Sequence, residues 1–250
     1  TPTPKAEELA PAVREALLGI QANSTDPDKF DPASSMREFT ISASDYVHTV
    51  LLNPLMAELA HSAPGVRFRI LPVTSTSMDQ FARGNIDLAI LADVVLLDGH
   101  PNRLLFQDTF TAICSHDHSQ LNAHLTMDQL CSLGHVATSL GADRPGTIVD
   151  QLLVERRIER RVEIVVPTFS ALAATIVGTN RIALLHQRLA EVFAARLPIR
   201  ILELPRELPP VREFVQWHKL RDRDIGLKWL IDKLQGNAAQ LTLGGTHEIH

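Results

Sequence analysis

Residues 39–46, Phe-Thr-Ile-Ser-Ala-Ser-Asp-Tyr, set the frame for the rest of the chain. Phe39, Ile41 and Ala43 alternate with Thr40, Ser42 and Ser44, the period of a strand with one buried face. The alternation stops at Asp45. Leu51, Leu52, Leu55, Met56 and Leu59 then recur at helical spacing until Ala63-Pro64-Gly65 ends that helix. Residues 66–73 read as a second strand with Phe68 and Ile70 on one face. Residues 78–83 read as a short helix closed by Gly84, and 86–91 as a third strand. Strand, helix, strand, helix, strand implies parallel pairing through right-handed crossovers.

The theme returns further on. Residues 135–139, 162–166 and 182–185 read as strands, and 147–156, 169–177 and 187–196 as the helices that follow them. The fold class expected is therefore α/β, with two Rossmann-like lobes in one chain. Residues 106–114 and 211–217 read as strands crossing between the lobes. The last helix, 225–234, carries Leu227, Trp229, Leu230 and Leu234, and the polar, glycine-bearing tail 236–250 is expected to fray. This division puts 37–112 and 213–238 in lobe I and 113–212 in lobe II.

A separate helix is expected at the front. Thr3 is suited to cap it and Pro4 to open it, where a missing N–H costs nothing. Leu9, Val13, Leu17 and Ile20 form one apolar stripe, and the turn-rich stretch 23–35 sets the segment apart. Such a helix packs on its own domain or pairs with another chain. Residues 1–22 stand apart as one segment, and both readings fit them.

With 250 residues, 45% of them hydrophobic, the chain can bury one large core or two small ones. No apolar run approaches the roughly 18 to 20 residues of a membrane helix, so no membrane partner is expected. A net charge of −5 argues against a broad nucleic-acid-binding surface. The one basic cluster, Arg156-Arg157 with Arg160-Arg161, reads as a solvated helix end. Two cysteines make no disulfide framework, no signal peptide leads the sequence, and a reducing cytoplasm is the expected setting. The chain opens on Thr1 rather than Met and is read as part of a longer protein.

The chemistry points to binding. Cys114-Ser115-His116-Asp117-His118 has metal-ligand residue types without a tetrahedral spacing, so no metal is expected. No Gly-x-Ser-x-Gly elbow, P-loop or His-Glu-x-x-His is present, and neither an enzyme nor a cofactor is expected. Polar residues gather instead at the C-terminal ends of strands, where parallel α/β sheets take their ligands. Ser44, Asp45 and Tyr46 follow the first strand, and Thr74, Ser75, Thr76 and Ser77 the second. Thr138 and Ser139 follow the first strand of lobe II, Thr168, Phe169 and Ser170 open its next helix, and His186 ends its third strand. Trp217 and His218 follow the returning strand. Ser44, Asp45, Ser75, Thr168 and Ser170 are equally suited to be helix caps, and Phe169 and Trp217 to be core. His186 reads either as a contact for an acidic or phenolic ligand or as a neutral histidine bonded to a backbone carbonyl.

In this order and spacing, several short segments resemble the linker helix and effector-binding domain of LysR-type transcriptional regulators. They are residues 3–17, residues 39–46, Ala-Pro-Gly-Val at 63–66, Arg-Gly-Asn-Ile-Asp-Leu-Ala-Ile at 83–90, and Trp217-His218 before Arg223-Asp224. The nearest branch holds the rhizobial nodulation regulators and the salicylate and nitroaromatic sensors. The resemblance implies a fold like type 2 periplasmic binding proteins, with a small effector in the cleft between lobes. It implies that residues 1–22 are a linker and dimerisation helix, and a homodimer or homotetramer in which the helix at 51–59 packs on the partner's helix at 147–156. It also implies promoter DNA bound by a winged helix-turn-helix preceding residue 1. The effector positions it implies are Ser44, Tyr46, Thr74, Ser75, Thr76, Phe169 and Ser170. Ser139, His186 and Trp217 join them by their place at strand ends. His186 departs from the family, where many members have proline. The hydroxyl-rich ends with Phe169 and Trp217 suggest a small aromatic or phenolic effector. The alternative is a solute-binding protein for transport.

Overall fold

The computed structural model describes residues 3, 5, 13, 30–122, 124–139 and 146–243. The expected linker helix at 1–22 lies outside the described residues except for Thr3, Lys5 and Val13. The chain divides into two compact units. The first holds the residues up to Val47, Leu51–Phe106 and those from Arg212 on; the second holds His48–Val50 and Gln107–Val211.

Ten strands form two five-stranded sheets: β1 (Glu38–Ser42), β2 (Arg67–Leu71), β3 (Leu88–Ala92), β4 (Asn102–Asp108), β5 (Phe110–Ser115), β6 (Gly134–Thr138), β7 (Arg161–Val166), β8 (Ile182–His186), β9 (Ile199–Leu202) and β10 (Val211–Trp217). The first sheet runs β2-β1-β3-β10-β4 and the second β7-β6-β8-β5-β9. Each has the same plan. A first strand lies between two parallel neighbours, and a strand from elsewhere in the chain adds antiparallel beside the third. β3 and β8 are buried along their whole length, which is why Leu-Ala-Ile-Leu-Ala and Ile-Ala-Leu-Leu-His read as unbroken runs rather than alternations.

Several helices start at side chains that cap them. Thr74 opens α3 (Ser75–Ala82) by accepting from the Ser77 N–H while the Ser77 hydroxyl accepts from Thr74. Thr126 and Gln129 do the same for α4 (Met127–Ser132). Thr147 and Asp150 form such a box at α5 (Ile148–Glu155), and Thr168 accepts from Ala171 at α6 (Phe169–Ile176). α7 (Gln187–Ala194) and α8 (Ile225–Leu243) complete the set.

Four features differ from the sequence reading. The first helix begins at Asp45 rather than Leu51, as α1 (Asp45–Val47), and continues through a π-helical turn, His48–Leu52, into α2 (Asn53–Ser62). Pro54 has no N–H to donate back into the preceding turn, and the ladder widens just before it. The crossing segment 106–114 is two strands, broken at Thr109, whose carbonyl accepts from the Gln187 amide at 2.9 Å. β5 therefore lies wholly in the second sheet, and the division falls earlier than residue 112. α4 and β9 were not anticipated; at six and four residues they are too short to show a period. The last helix does not fray at Gly236 but runs to Leu243, because Asn237 and Ala238 are buried and carry the face of Leu234 one turn further. Among the described residues no helix is long and apolar enough to cross a membrane.

Candidate functional site

In the first unit, the C-terminal ends of β1 and β2 carry a network of hydroxyls. Ser42 Oγ donates to Ser77 Oγ at 3.2 Å, and Ser77 Oγ also donates to the Thr74 carbonyl at 3.0 Å. Thr74 is thus committed to its cap, and Ser44 to another, accepting from the Val47 amide at 3.2 Å. Ser75 and Thr76 face outward on the first turn of α3. Tyr46 is buried with its ring edge-on to Phe106, centroids 6.2 Å apart. The hydroxyl loops and Tyr46 therefore stand at one end of the sheet, as expected.

Trp217 does not join them. β10 runs antiparallel to β3, pairing Trp217 with Leu88 at the first residue of β3 and Glu213 with Ala92 at its last. Trp217 thus sits at the opposite end of the sheet. Its indole N–H donates to Asp222 at 3.1 Å, with the Arg103 guanidinium over the ring. In its place the strand brings buried Glu213 and the exposed pair Arg212–Asp93 to the C-terminal end. Strand direction was the missing information, because a strand returning from a distant part of the chain carries no sign of its sense.

In the second unit the corresponding end is aromatic. His186, the last residue of β8, is buried, with Phe169 edge-on and Phe110 tilted against it, each 5.2 Å between centroids. Phe110 was not anticipated; the antiparallel β5 places it opposite His186. Burial pushes the imidazole down to about 3, so it is neutral near pH 7. Thr138, at the end of β6, is 2% exposed, and its hydroxyl has no hydrogen-bond partner among the described residues. The Ser139 amide donates to the Val166 carbonyl, so its backbone is fixed, and Ser170 faces outward on α6. The Asp108 carboxylate accepts from the amides of Thr109 at 2.8 Å and Arg188 at 3.4 Å, tying the start of β5 to the first turn of α7.

The strand end of the second unit offers ring edges, a buried hydroxyl and a neutral imidazole. No group of three or more His, Cys, Asp or Glu is placed to hold a metal among the described residues. In particular, the His116–His118 stretch splits, with His116 exposed beside Asp117 and His118 buried. Such a site can select a ligand by shape and hydrogen bonding.

Comparison with known proteins settles what kind of domain this is. Residues 33–239 match the LysR substrate binding domain. The chain belongs to that family. It is 40% identical over 238 residues to nodulation protein D 2 of Rhizobium tropici, covering 95% of this chain and 76% of that protein. It is 39% identical over 240 residues to nodulation protein D 3 of Rhizobium leguminosarum bv. phaseoli, covering 96% and 80%. Among solved structures, a probable transcriptional regulator from Pseudomonas aeruginosa superposes with a TM-score of 0.78 at 29% identity, over 94% of this chain and 78% of that one. The regulatory domain of MexT from the same organism shares the fold at a TM-score of 0.71 and 24% identity. The chain is thus an effector-binding domain of the LysR type, with the fold of type 2 periplasmic binding proteins. Its relatives are transcriptional regulators and not enzymes, and the transport reading is not favoured.

Proposed function

We propose that this domain senses a small aromatic or phenolic effector within a cytoplasmic regulator, and that the strand-end groups of its units make the contacts. The observation that carries this is the aromatic end of the second unit, where neutral His186 lies against Phe110 and Phe169. Thr138 adds a buried hydroxyl that a ligand oxygen would satisfy. Ser44, Tyr46, Thr74, Ser75 and Thr76 in the first unit, and Ser139 and Ser170 in the second, are the remaining candidates. Promoter DNA is engaged by a part of the regulator outside this chain, consistent with relatives of which the chain spans 76–80%. The test is a thermal-shift screen of phenols, aromatic acids and flavonoids. At 100 times its dissociation constant a true effector stabilises by about 2.7 kcal/mol, and Phe169→Ala removes that shift. A stabilisation by sugars or cations alone would show the ligand class to be wrong.

The working regulator is a homodimer or homotetramer. Val154 on α5 is 76% exposed, and Val162 and Val165 on the edge strand β7 are exposed beside it in sequence. An apolar set of this kind on one unit marks a protein contact. Val154→Asp is expected to shift the sizing-column mass down to that of a monomer. A wild-type protein that is already monomeric at high concentration would remove the reading.

A further inference from the structure

Residues 96–101 lead into β4 across the N-terminal end of the first sheet, and their fastening is unusual. The fully buried Gln216 of β10 grips the segment with its amide: Oε1 accepts from the Leu97 N–H at 3.0 Å, and Nε2 donates to the Leu97 carbonyl at 2.7 Å and the His100 carbonyl at 3.4 Å. The Trp217 amide donates to the Pro101 carbonyl at 3.1 Å. Beside this clamp the His100 ring packs on Phe81, centroids 5.2 Å apart, and on the His218 ring at 4.9 Å. His218 is held in turn: its Nδ1 accepts from the Leu220 amide at 3.3 Å and its ring bonds the Ala82 backbone. His100 Nδ1 is buried and has no partner among the described residues.

The charges around this pair are one-sided. Lys219 and Arg221, on the short turn after β10, act on the imidazoles, and each ring also faces the other. Asp98, two residues before His100, lies in the strap itself, and two further carboxylates are held by other groups. Asp222 accepts from the Trp217 indole, and Asp87 is held by Arg221, by Arg37 and by the Thr40 amide. A proton added to His218 meets Lys219, Arg221 and a second imidazole, and one added to His100 meets Lys219 beside the His218 ring, with no carboxylate bonded to either ring among the described residues.

We propose that the packed His100–His218 pair makes residues 96–101 an acid-released strap, closed on Gln216 while both rings are neutral and freed when either ring is protonated. Burial, and then Lys219, hold His100 below its ordinary value of 6.5; burial, then His100 and Arg221, hold His218 below it. The open form, with its rings in water, binds protons more readily than the closed one. Closure is therefore complete above about pH 6.5 and weakens as the pH falls below it. The inference is independent of what the effector is.

The reporter is the Leu97 amide, whose acceptor is the strap's own clamp. Its hydrogen-exchange protection factor, corrected for the intrinsic rate, is measured from about pH 7.5 to about pH 5 beside those of Ile41 and Ile90. Leu97 protection is expected to fall about tenfold or more while the two strand amides hold. Replacing both rings, His100→Phe with His218→Phe, keeps two rings in contact and removes both proton sites, and is expected to leave Leu97 protection flat with pH. Leu97 protection that is constant in the wild type, or an acid loss that persists in the variant lacking both imidazoles, overturns the proposal. Should that variant not fold, the wild-type ring-proton titrations decide. Both midpoints near 6.5 would overturn it, and midpoints displaced downward support it.

Discussion

Replacing Asp224 with alanine lowers the folding free energy of the first unit by about 3–5 kcal/mol, the range for removing one partner of a buried pair. Asp224 is buried at the start of α8 and takes both Arg37 guanidinium nitrogens, at 2.6 Å each, across 187 positions of sequence. One carboxylate oxygen also accepts from the Leu227 amide at 3.0 Å, so the same side chain caps the last helix. Alanine leaves Arg37 half-buried, its nearest other carboxylate Asp87 at 3.8 Å and already shared with Arg221, and strips the cap as well. Asp224→Asn keeps the cap and loses the charge, so a smaller loss is expected. Burial pushes the Asp224 carboxyl up, but its bonds to Arg37 outweigh this and hold it below 3.8. For a depressed acid this contribution is complete above 3.8 and is lost only as the pH falls through the lower folded value. Urea melts read by circular dichroism check the size. A loss under about 1 kcal/mol for Asp224→Ala would show that Arg37 swings to solvent and that the pair adds little.

Arg37 and Asp224 also show where a sequence stops being legible. Nothing near either residue announces the other, because the pairing is made by the chain returning to the first unit. Local periodicity exposed what local contacts build: β1, the buried β3 and β8, the helices that follow β1 and β8, and the cap at Thr168. The hydroxyls and rings at the strand ends could be placed because a strand followed by a helix fixes which end faces outward. Trp217 was misplaced because β10 has a distant partner, and its sense against β3 decides which of its ends meets Ser44 and Thr74. Phe110 was missed for the same reason, and the resemblance to LysR-type regulators implied neither as an effector position. α8 was cut short because Gly236 reads as a stop, whereas the burial of Asn237 and Ala238 outweighs roughly 1 kcal/mol of glycine penalty.

The second large effect is on acid stability, and it falls on the other unit. His186 and His135 are both buried there. Burial lowers His186 to about 3 and His135 to about 4, the latter despite its bond to the Leu130 carbonyl at 2.8 Å. In the unfolded chain each returns to about 6.5, so between 6.5 and its folded value the unfolded state binds the extra proton. Stability therefore stands at its full value above 6.5, declines from there to about 4 for His135 and about 3 for His186, and is level below. Each histidine contributes a slope of up to about 1.4 kcal/mol per pH unit inside its window. His186→Phe puts a third ring between Phe110 and Phe169 without a titrating group, and urea midpoints measured from about pH 7 to about pH 4.5 should lose about one proton's worth of slope. A variant as acid-sensitive as the wild type would mean that the His186 ring reaches water before the fold gives way. The same variant bears on the effector. If neutral His186 is a ligand contact, affinity is weakened by His186→Phe near pH 7, where the stability change is least. A loss of stability slope with affinity unchanged would leave His186 as a core residue beside the site, with Phe169 and Thr138 as the groups that meet the ligand.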